Sequence, residues 1–385
     1  MTRDPVIPRP FWLARLEQAW AKAPIAWLSG VRRSGKSRLA EQVADATIFN
    51  CDLPSVQRLA QDPEALYSSI GTTAVVFDEV HRLADPSAVL KIGADVHPGL
   101  RILATGSSTL SALTSFQDSL TGRKREIALQ PVLLGECPAF GQASLAKRLL
   151  HGGLPPALLA EHPDPGFYAE WLDSFFARDV AELFRIERRK EFLLLARILI
   201  RQSGGMSTVT ALSKEVGVAR ATIMSWMEAL RVTHLIHDVP PYHGGKRGEL
   251  LKQPKLYAFD TGFVAHENGW DSLRPDDCGR LWENLVLEHV LAQGLPRQVH
   301  HWRQDRHEVD FIVPGPRGSA DAIECTWSPD RFDPTGMRAF RALHPAGRNF
   351  VVSPNVPHPH TRTFKDLTVT ITDLSHLPFH PPGAA

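Results

Sequence analysis

The chain has 385 residues, 43% of them hydrophobic, and its 43 Lys and Arg against 42 Asp and Glu leave a formal net charge of +1. That length exceeds one compact core and predicts roughly two to four domains, while the near-neutral balance excludes a globally basic nucleic-acid binder and leaves only local basic surfaces. No apolar run approaches the ~18 to 20 residues of a membrane span, and the opening MTRDPVIPRPFW lacks the apolar core of a secretory signal, so a cytoplasmic location without membrane contact is expected.

Phe11 to Ala21 places Phe11, Leu13, Leu16 and Trp20 near helical spacing and predicts a helix packed on the domain that follows. Pro24 to Ser29 predicts an apolar strand, and Gly30 to Ser37 (GVRRSGKS) then fits G-x-x-x-x-G-K-[ST] at every fixed position, with a helix expected over Arg38 to Val43. Such a loop binds phosphate. Gly30 and Gly35 let successive N–H groups turn inward, and the helix beginning near Lys36 adds its partial positive charge. Lys36 is expected to reach the β- and γ-phosphates of ATP and Ser37 to place its hydroxyl on Mg²⁺; Arg33, Ser34 and Arg38 complete the expected nucleotide-binding set.

Ala46 to Cys51 predicts a second strand, and Asp52 at its end either orients a group near the phosphates or is a polar residue where strand meets loop. Thr73 to Glu79 (TAVVFDE) predicts a buried strand ending in two carboxylates at the rim of a parallel sheet. Asp78 would hold Mg²⁺ directly or through water, and Glu79 would polarise the attacking water as catalytic base. Leu100 to Thr105 predicts a further strand running into Ser107 and Ser108, either of which would sense the γ-phosphate. Arg123 or Arg125, in a basic turn before a strand at Ile127 to Leu129, is a candidate arginine finger acting in this subunit or across an oligomer interface, because a loose phosphoryl-transfer transition state rewards added positive charge. The competing reading is a solvated basic turn.

GVRRSGKS, VVFDEVHRL, LATGSS, LTGRKREIALQPV and HGGLP, continued by PKLYAFDTGF, GRLWENLVLEHVL and HEVDFIV, resemble the bacterial and archaeal AAA+-like P-loop ATPases that carry a C-terminal domain of unknown function resembling the PD-(D/E)XK nuclease fold. The resemblance covers nearly the whole chain. It implies ATP binding and hydrolysis.

From about Pro138 the pattern turns helical, with Arg178-Asp179 a candidate for a polar network at the nucleotide, a domain interface or an ion-paired helix face. Ser207 to Leu230 has helix-turn-helix spacing, with Leu212 and Val216 on one stripe, a turn at Gly217, and Ile223, Met227 and Leu230 on a second. The stretches 235–239 and 255–259 would pair as the strands of a wing. On that reading Arg220, Thr222, Ser225 and Trp226 point outward, and Lys246, Arg247, Lys252 and Lys255 meet phosphates; the same module also serves as a lid or a protein contact.

In the C-terminal part, Gly279 to Ala292 predicts a helix bearing Glu283, and 308–313 and 322–326 predict strands bearing Asp310 and Glu324. The resemblance implies that these three acids form a nuclease-like Mg²⁺ site, but Thr326 stands where that motif has lysine. A neutral hydroxyl cannot supply the charge, a loss of about 10² to 10³ in rate, unless Arg303 or Lys365 reaches in. An inactive or structural domain and a weak or unconventional nuclease both follow. The four cysteines, Cys51, Cys137, Cys278 and Cys325, read as reduced, and His300, His301, His307, His358 and His360 lack zinc-site spacing.

The expected architecture is therefore α/β: a P-loop NTPase parallel sheet over 1–137, a helical lid or linker over 138–202, a winged helix over 203–262 and a restriction-endonuclease-like domain over 263–385. The expected function is Mg²⁺-dependent ATP hydrolysis coupled to a DNA or protein partner, with an ATP-dependent nuclease or remodeller and a nucleotide-controlled switch as alternatives. A finger supplied in trans would require a homo-oligomer.

Overall fold

The computed structural model describes residues 6–106, 120–243, 253–294 and 298–377. Strands β1 (Ile25–Ser29), β2 (Ala46–Asn50), β3 (Ala74–Asp78), β4 (Arg101–Thr105) and β5 (Lys124–Ala128) form a five-stranded sheet in the order β2-β3-β4-β1-β5, with every pairing parallel. Parallel strands need crossovers that cover both faces, and the sequence supplies two apolar faces in alternation. Ile25, Trp27, Val75, Phe77 and Ile102 pack with Tyr67, Val89 and Leu90. Ala26, Leu28, Val76 and Leu103 pack with the N-terminal helix Pro10–Trp20. That helix buries Trp12, Leu16 and Ala19, spaced i, i+4, i+7, whereas Phe11, Leu13 and Trp20 are only partly buried.

Because the strands share one direction, their C-terminal ends form one edge, where the following loops gather. β4 lies between β1 and β3, so the loop after β1 and the residues ending β3 and β4 meet there. β5 starts at Lys124, inside the stretch expected as a turn, because its ladder with β1 begins at the Ile25–Lys124 pair.

The middle of the chain is helical: Leu145–His151, Pro155–Leu159, Pro165–Phe175 and Arg189–Arg201, then Val209–Val216 and Arg220–Val232 joined through Gly217 at φ +76°. Helix Pro165–Phe175 runs on into a single π turn, Phe176–Val180. An antiparallel pair, β6 (Ile236–Val239) and β7 (Lys255–Ala258), follows the last helix. Leu212, Val216, Ile223, Met227 and Leu230 are buried as their stripes require. Trp226 corrects the outward face. It is buried edge-on to Phe192, because a residue three after Ile223 and four before Leu230 shares their side of the helix. Lys246, Arg247 and Lys252 lie outside the described residues.

The C-terminal part sets helix Pro275–Ala292 against a six-stranded sheet, β12-β13-β11-β10-β9-β8. Here β8 is His300–Gln304, β9 His307–Pro314, β10 Ala320–Cys325, β11 Asn349–Val352, β12 His360–Phe364 and β13 Leu367–Thr372. β8, β9 and β10 run antiparallel, β11 pairs parallel with β10 and β13, and β12 closes a hairpin on β13. One core continues from Val31 through Trp171, Phe192 and Phe259 to Trp282 and Val352. The middle helices therefore connect the two sheets through packed side chains. The four cysteines are unbridged, and among the described residues no helix is long and apolar enough to cross a membrane.

Candidate functional site

Backbone geometry sets the loop after β1. Gly30 has φ +136° and Gly35 φ +98°, and a Cβ on Gly30 would sit 2.5 Å from the Leu129 carbonyl oxygen. Gly35 is also the N-cap of helix Lys36–Ala40, whose first amides open toward the loop. Lys36 Nζ donates to the carbonyls of Gly30 and Val31 at 2.9 and 3.1 Å. Burial pulls its pKa down, opposed by Glu79 and Asp179.

At the same sheet edge Asp78 ends β3, and Glu79 follows in the left-handed region at φ +56°. Ser37 Oγ donates to Asp78 Oδ1 at 3.1 Å, Thr105 Oγ1 donates to the same oxygen at 2.6 Å, and Glu79 N donates to Thr105 Oγ1 at 3.0 Å. His81 Nδ1 lies 3.3 Å from Glu79 Oε2. Lys36, Ser37, Asp78 and Glu79 are thus brought together, with Thr105 and His81 added by the fold. Thr105 is the polar residue of the neighbouring strand; Ser107, expected there, and Ser108 lie outside the described residues. The Ser37 hydroxyl and Asp78 carboxylate are adjacent hard oxygen donors, and Mg²⁺ takes only one or two protein oxygens when phosphates and water supply the rest. The residues fit the ion.

The loop is braced from below by a pair that the sequence did not reveal. Arg9 donates to both carboxylate oxygens of Glu136, at 2.8 and 2.7 Å, and to the Ser34 carbonyl at 3.1 Å, with Trp12 Nε1 completing the cluster on Glu136 at 3.2 Å. Arg33 has φ +60°, and Arg38 pairs with Glu41. Asp52 pairs with Arg82 on the rim of the cleft.

Arg123 does not join this group within the chain. It precedes β5 at the N-terminal end of the sheet, pairing bidentately with Asp95, and five strand residues, roughly 16 Å at ~3.3 Å each, separate it from the phosphate edge. A parallel sheet puts residues before a strand at the end opposite the loop after its neighbour. Arg178 and Asp179 are placed differently: both line the ≈ 670 Å³ cleft above the loop, together with Pro155, Phe175 and Thr233 of the middle segment. Asp179 Oδ2 accepts from Arg32 Nη1 at 3.3 Å, so the ion-paired solvent face is replaced by a polar network in the cleft.

The C-terminal acids also converge. Glu283 Oε1 accepts from Tyr257 Oη at 2.5 Å and from Lys255 Nζ at 3.2 Å, and the same ammonium lies 2.5 Å from Glu308 Oε1 and 3.7 Å from Asp310 Oδ1. Lys255, expected on a phosphate-binding wing, is buried on β7 inside the acid cluster. Thr326 donates to the Ser328 carbonyl, Arg303 reaches only the outer oxygen of Glu308 at 4.0 Å, and Lys365 sits in the β12–β13 turn. Burial and Asp310 push the Glu324 carboxyl up, and burial and Glu283 push that of Asp310 to about 7. Among the described residues no group of three or more His, Cys, Asp or Glu is arranged to hold a metal ion.

A pH signature follows. Asp310 has a folded pKa of about 7 against an ordinary 3.8, so its contribution to stability is full below the ordinary value and is lost as pH rises through about 7. Asp310→Asn, neutral throughout, is expected to flatten the fall in melting temperature that the wild type shows across that window. Thermal melts from mildly acidic to mildly alkaline buffer check it; parallel wild-type and variant curves would refute the assignment.

Residues 22–137 match the family described as an AAA domain, and residues 142–274 and 278–369 match two domains of unknown function, DUF8612 and DUF4143. An uncharacterized protein of Mycobacterium tuberculosis, Rv2008c, is 28% identical over 318 residues, covering 78% of this chain and 70% of its own. An uncharacterized protein of Methanocaldococcus jannaschii, MJ1544, is 24% identical over 325 residues, covering 74% and 71%. Among solved structures, the Walker-type ATPase PABY2304 of Pyrococcus abyssi aligns with a TM-score of 0.48 at 15% identity, over 69% of this chain and 97% of that one. The N-terminal segment is an AAA-type P-loop ATPase domain by its family match, and its parallel five-stranded sheet agrees.

Proposed function

We propose that the chain is a cytoplasmic Mg²⁺-dependent ATPase whose nucleotide state is read by its middle and C-terminal segments. The observation that carries this is the convergence of Lys36, Ser37, Asp78 and Glu79 at one sheet edge, with Ser37 bonded to Asp78 and Asp78 linked to Glu79 through Thr105. Amides of the loop and of the helix N-terminus bind the β- and γ-phosphates, and Lys36 exchanges its loop carbonyls for phosphate oxygens. Ser37 and Asp78 would hold Mg²⁺, which would supply neutralisation of phosphate charge. Glu79 takes the proton of the attacking water, and His81, at 3.3 Å, fixes the direction of its carboxylate. Arg123 serves as a finger only across a homo-oligomer interface. The helix pair ending in β6 and β7 is read as a winged helix for a DNA or protein partner.

A second reading, an ATP-dependent nuclease, is favoured by one observation: Lys255 brings to Glu283 and Asp310 the ammonium that Thr326 lacks. One experiment separates these readings. Steady-state ATP hydrolysis is measured with and without single- and double-stranded DNA, and DNA integrity is followed in the same reactions for wild type and Asp310→Ala. Hydrolysis without DNA effect or cleavage supports a protein-directed ATPase, and stimulation makes DNA the partner. Mg²⁺-dependent cleavage lost in Asp310→Ala establishes the nuclease, and nucleotide binding without turnover replaces the ATPase with a switch.

A further inference from the structure

The tip of the phosphate-binding loop, Val31 to Arg33, is held by the middle segment. Trp171 Nε1 donates to the Arg32 carbonyl at 3.1 Å, Arg33 lies over the Phe167 ring at 5.6 Å, and Arg32 Nη1 donates to Asp179 Oδ2 at 3.3 Å. Val31 belongs to the same core as Trp171, Phe175 and Phe176. Every one of these partners comes from helix Pro165–Phe175 or the π turn that continues it. A π turn inserts one residue into a helix and recurs at functional sites; this one carries Arg178 and Asp179 into the cleft.

Asp179 is out of place for a phosphate site. Its side chain is only 15% exposed, and its charge interacts with Arg32, Lys36 and His81, the first two being cations of the loop itself. A carboxylate there weakens binding of a polyphosphate through like-charge repulsion and through competition for the same donors. Stability of the loop alone does not call for an acid, because Trp171 and Val31 already anchor it. The acid does make the contact between loop and helix depend on what else Arg32 binds, with Lys36 feeling the same charge.

We propose that Asp179 is an exchangeable anion on the phosphate-binding loop: the phosphates of a nucleotide compete with it for Arg32 and Lys36, and its displacement moves the π turn and the helix carrying Trp171. This rests on the nucleotide-binding reading of the loop. The exchange alters the core that runs from Trp171 through Phe259 to Trp282, so the middle and C-terminal segments receive the state of the loop without a separate sensor.

The test uses the full chain with ADP and ATP in the presence of Mg²⁺. Calorimetry gives affinity, and hydrogen exchange of peptides spanning 165–201 gives the response. Asp179→Asn is expected to bind ADP about tenfold more tightly, the scale of one charge-assisted hydrogen bond, and to lose most of the nucleotide-dependent change in exchange. Trp171→Phe keeps the ring among Phe175 and Phe259 but removes the bond to Arg32; it is expected to bind nucleotide while transmitting a smaller change. Unchanged or weaker affinity in Asp179→Asn, with a wild-type exchange response, overturns the exchange and leaves the ATPase reading standing. Wild-type protein that binds neither nucleotide overturns both.

Discussion

Glu79→Gln is expected to bind ATP with near wild-type affinity and to hydrolyse it at least about 10²-fold more slowly, the lower end of what a positioned general base contributes. The amide has the same shape, so the backbone bond from Glu79 N to Thr105, the left-handed turn and the contact with His81 all persist. Only proton acceptance is lost. Lys36→Ala is expected to fail one step earlier. It removes the ammonium now held 2.9 and 3.1 Å from two loop carbonyls, and with it the charged bonds to phosphate, at about 1.5–3 kcal/mol each or roughly 10-fold to 100-fold in affinity per bond. Calorimetric binding and single-turnover phosphate release separate the two variants. Normal turnover by Glu79→Gln would remove Glu79 as base and turn attention to His81.

The parts of the site legible in the sequence are those carried by contiguous residues. GVRRSGKS and VVFDE each place several groups through one turn or one strand end, and strand alternation fixes which face Ile25 and Trp27 cover. Thr105 was half legible: the strand that carries it follows from the sequence, where the polar role was expected of Ser107 or Ser108, but that the Thr105 hydroxyl meets Asp78 depends on β4 lying between β1 and β3. Arg9 with Glu136 and Lys255 with Glu308 join residues far apart in the chain, and no local pattern announces such pairs. Trp226 differs, because its burial follows from counting helical phase against Ile223 and Leu230. Arg123 also was within reach of reasoning, since sheet polarity alone puts it at the wrong end for its own loop. Lys255, expected on a phosphate-binding wing, and Asp179, for which a polar network at the nucleotide stood beside an ion-paired helix face, share one feature. Each is neutralised by a partner from a different segment, which is the condition under which burial of a charge is tolerated.

Arg148→Met is expected to destabilise the protein by about 3–5 kcal/mol, the cost of leaving one member of a buried ion pair unpaired. The guanidinium is fully buried, donating from Nε to the Val132 carbonyl at 2.8 Å, from Nη1 to Thr261 Oγ1 at 3.0 Å and from Nη2 to Glu288. Asp260 lies beside it and accepts from Gly153 N at 2.6 Å. A Cβ on Gly153 would come within 2.6 Å of Arg148 Nη2, and one on Gly152 would strike Asp260, so the two glycines of HGGLP exist to let these charges approach. This node joins the exit from the first sheet, the start of helix Thr261–Glu267 and the long C-terminal helix. Against a total stability of about 5–15 kcal/mol the loss is large. Arg148→Met combined with Glu288→Met should recover much of it, because an apolar pair of similar volume is often as stable as the ion pair it replaces. Denaturant melts of the single and double variants give the answer. Recovery in the double variant assigns the loss to the orphaned Glu288; equal losses would assign it to the other partners of Arg148, the Val132 carbonyl, the Thr261 hydroxyl and the neighbouring Asp260.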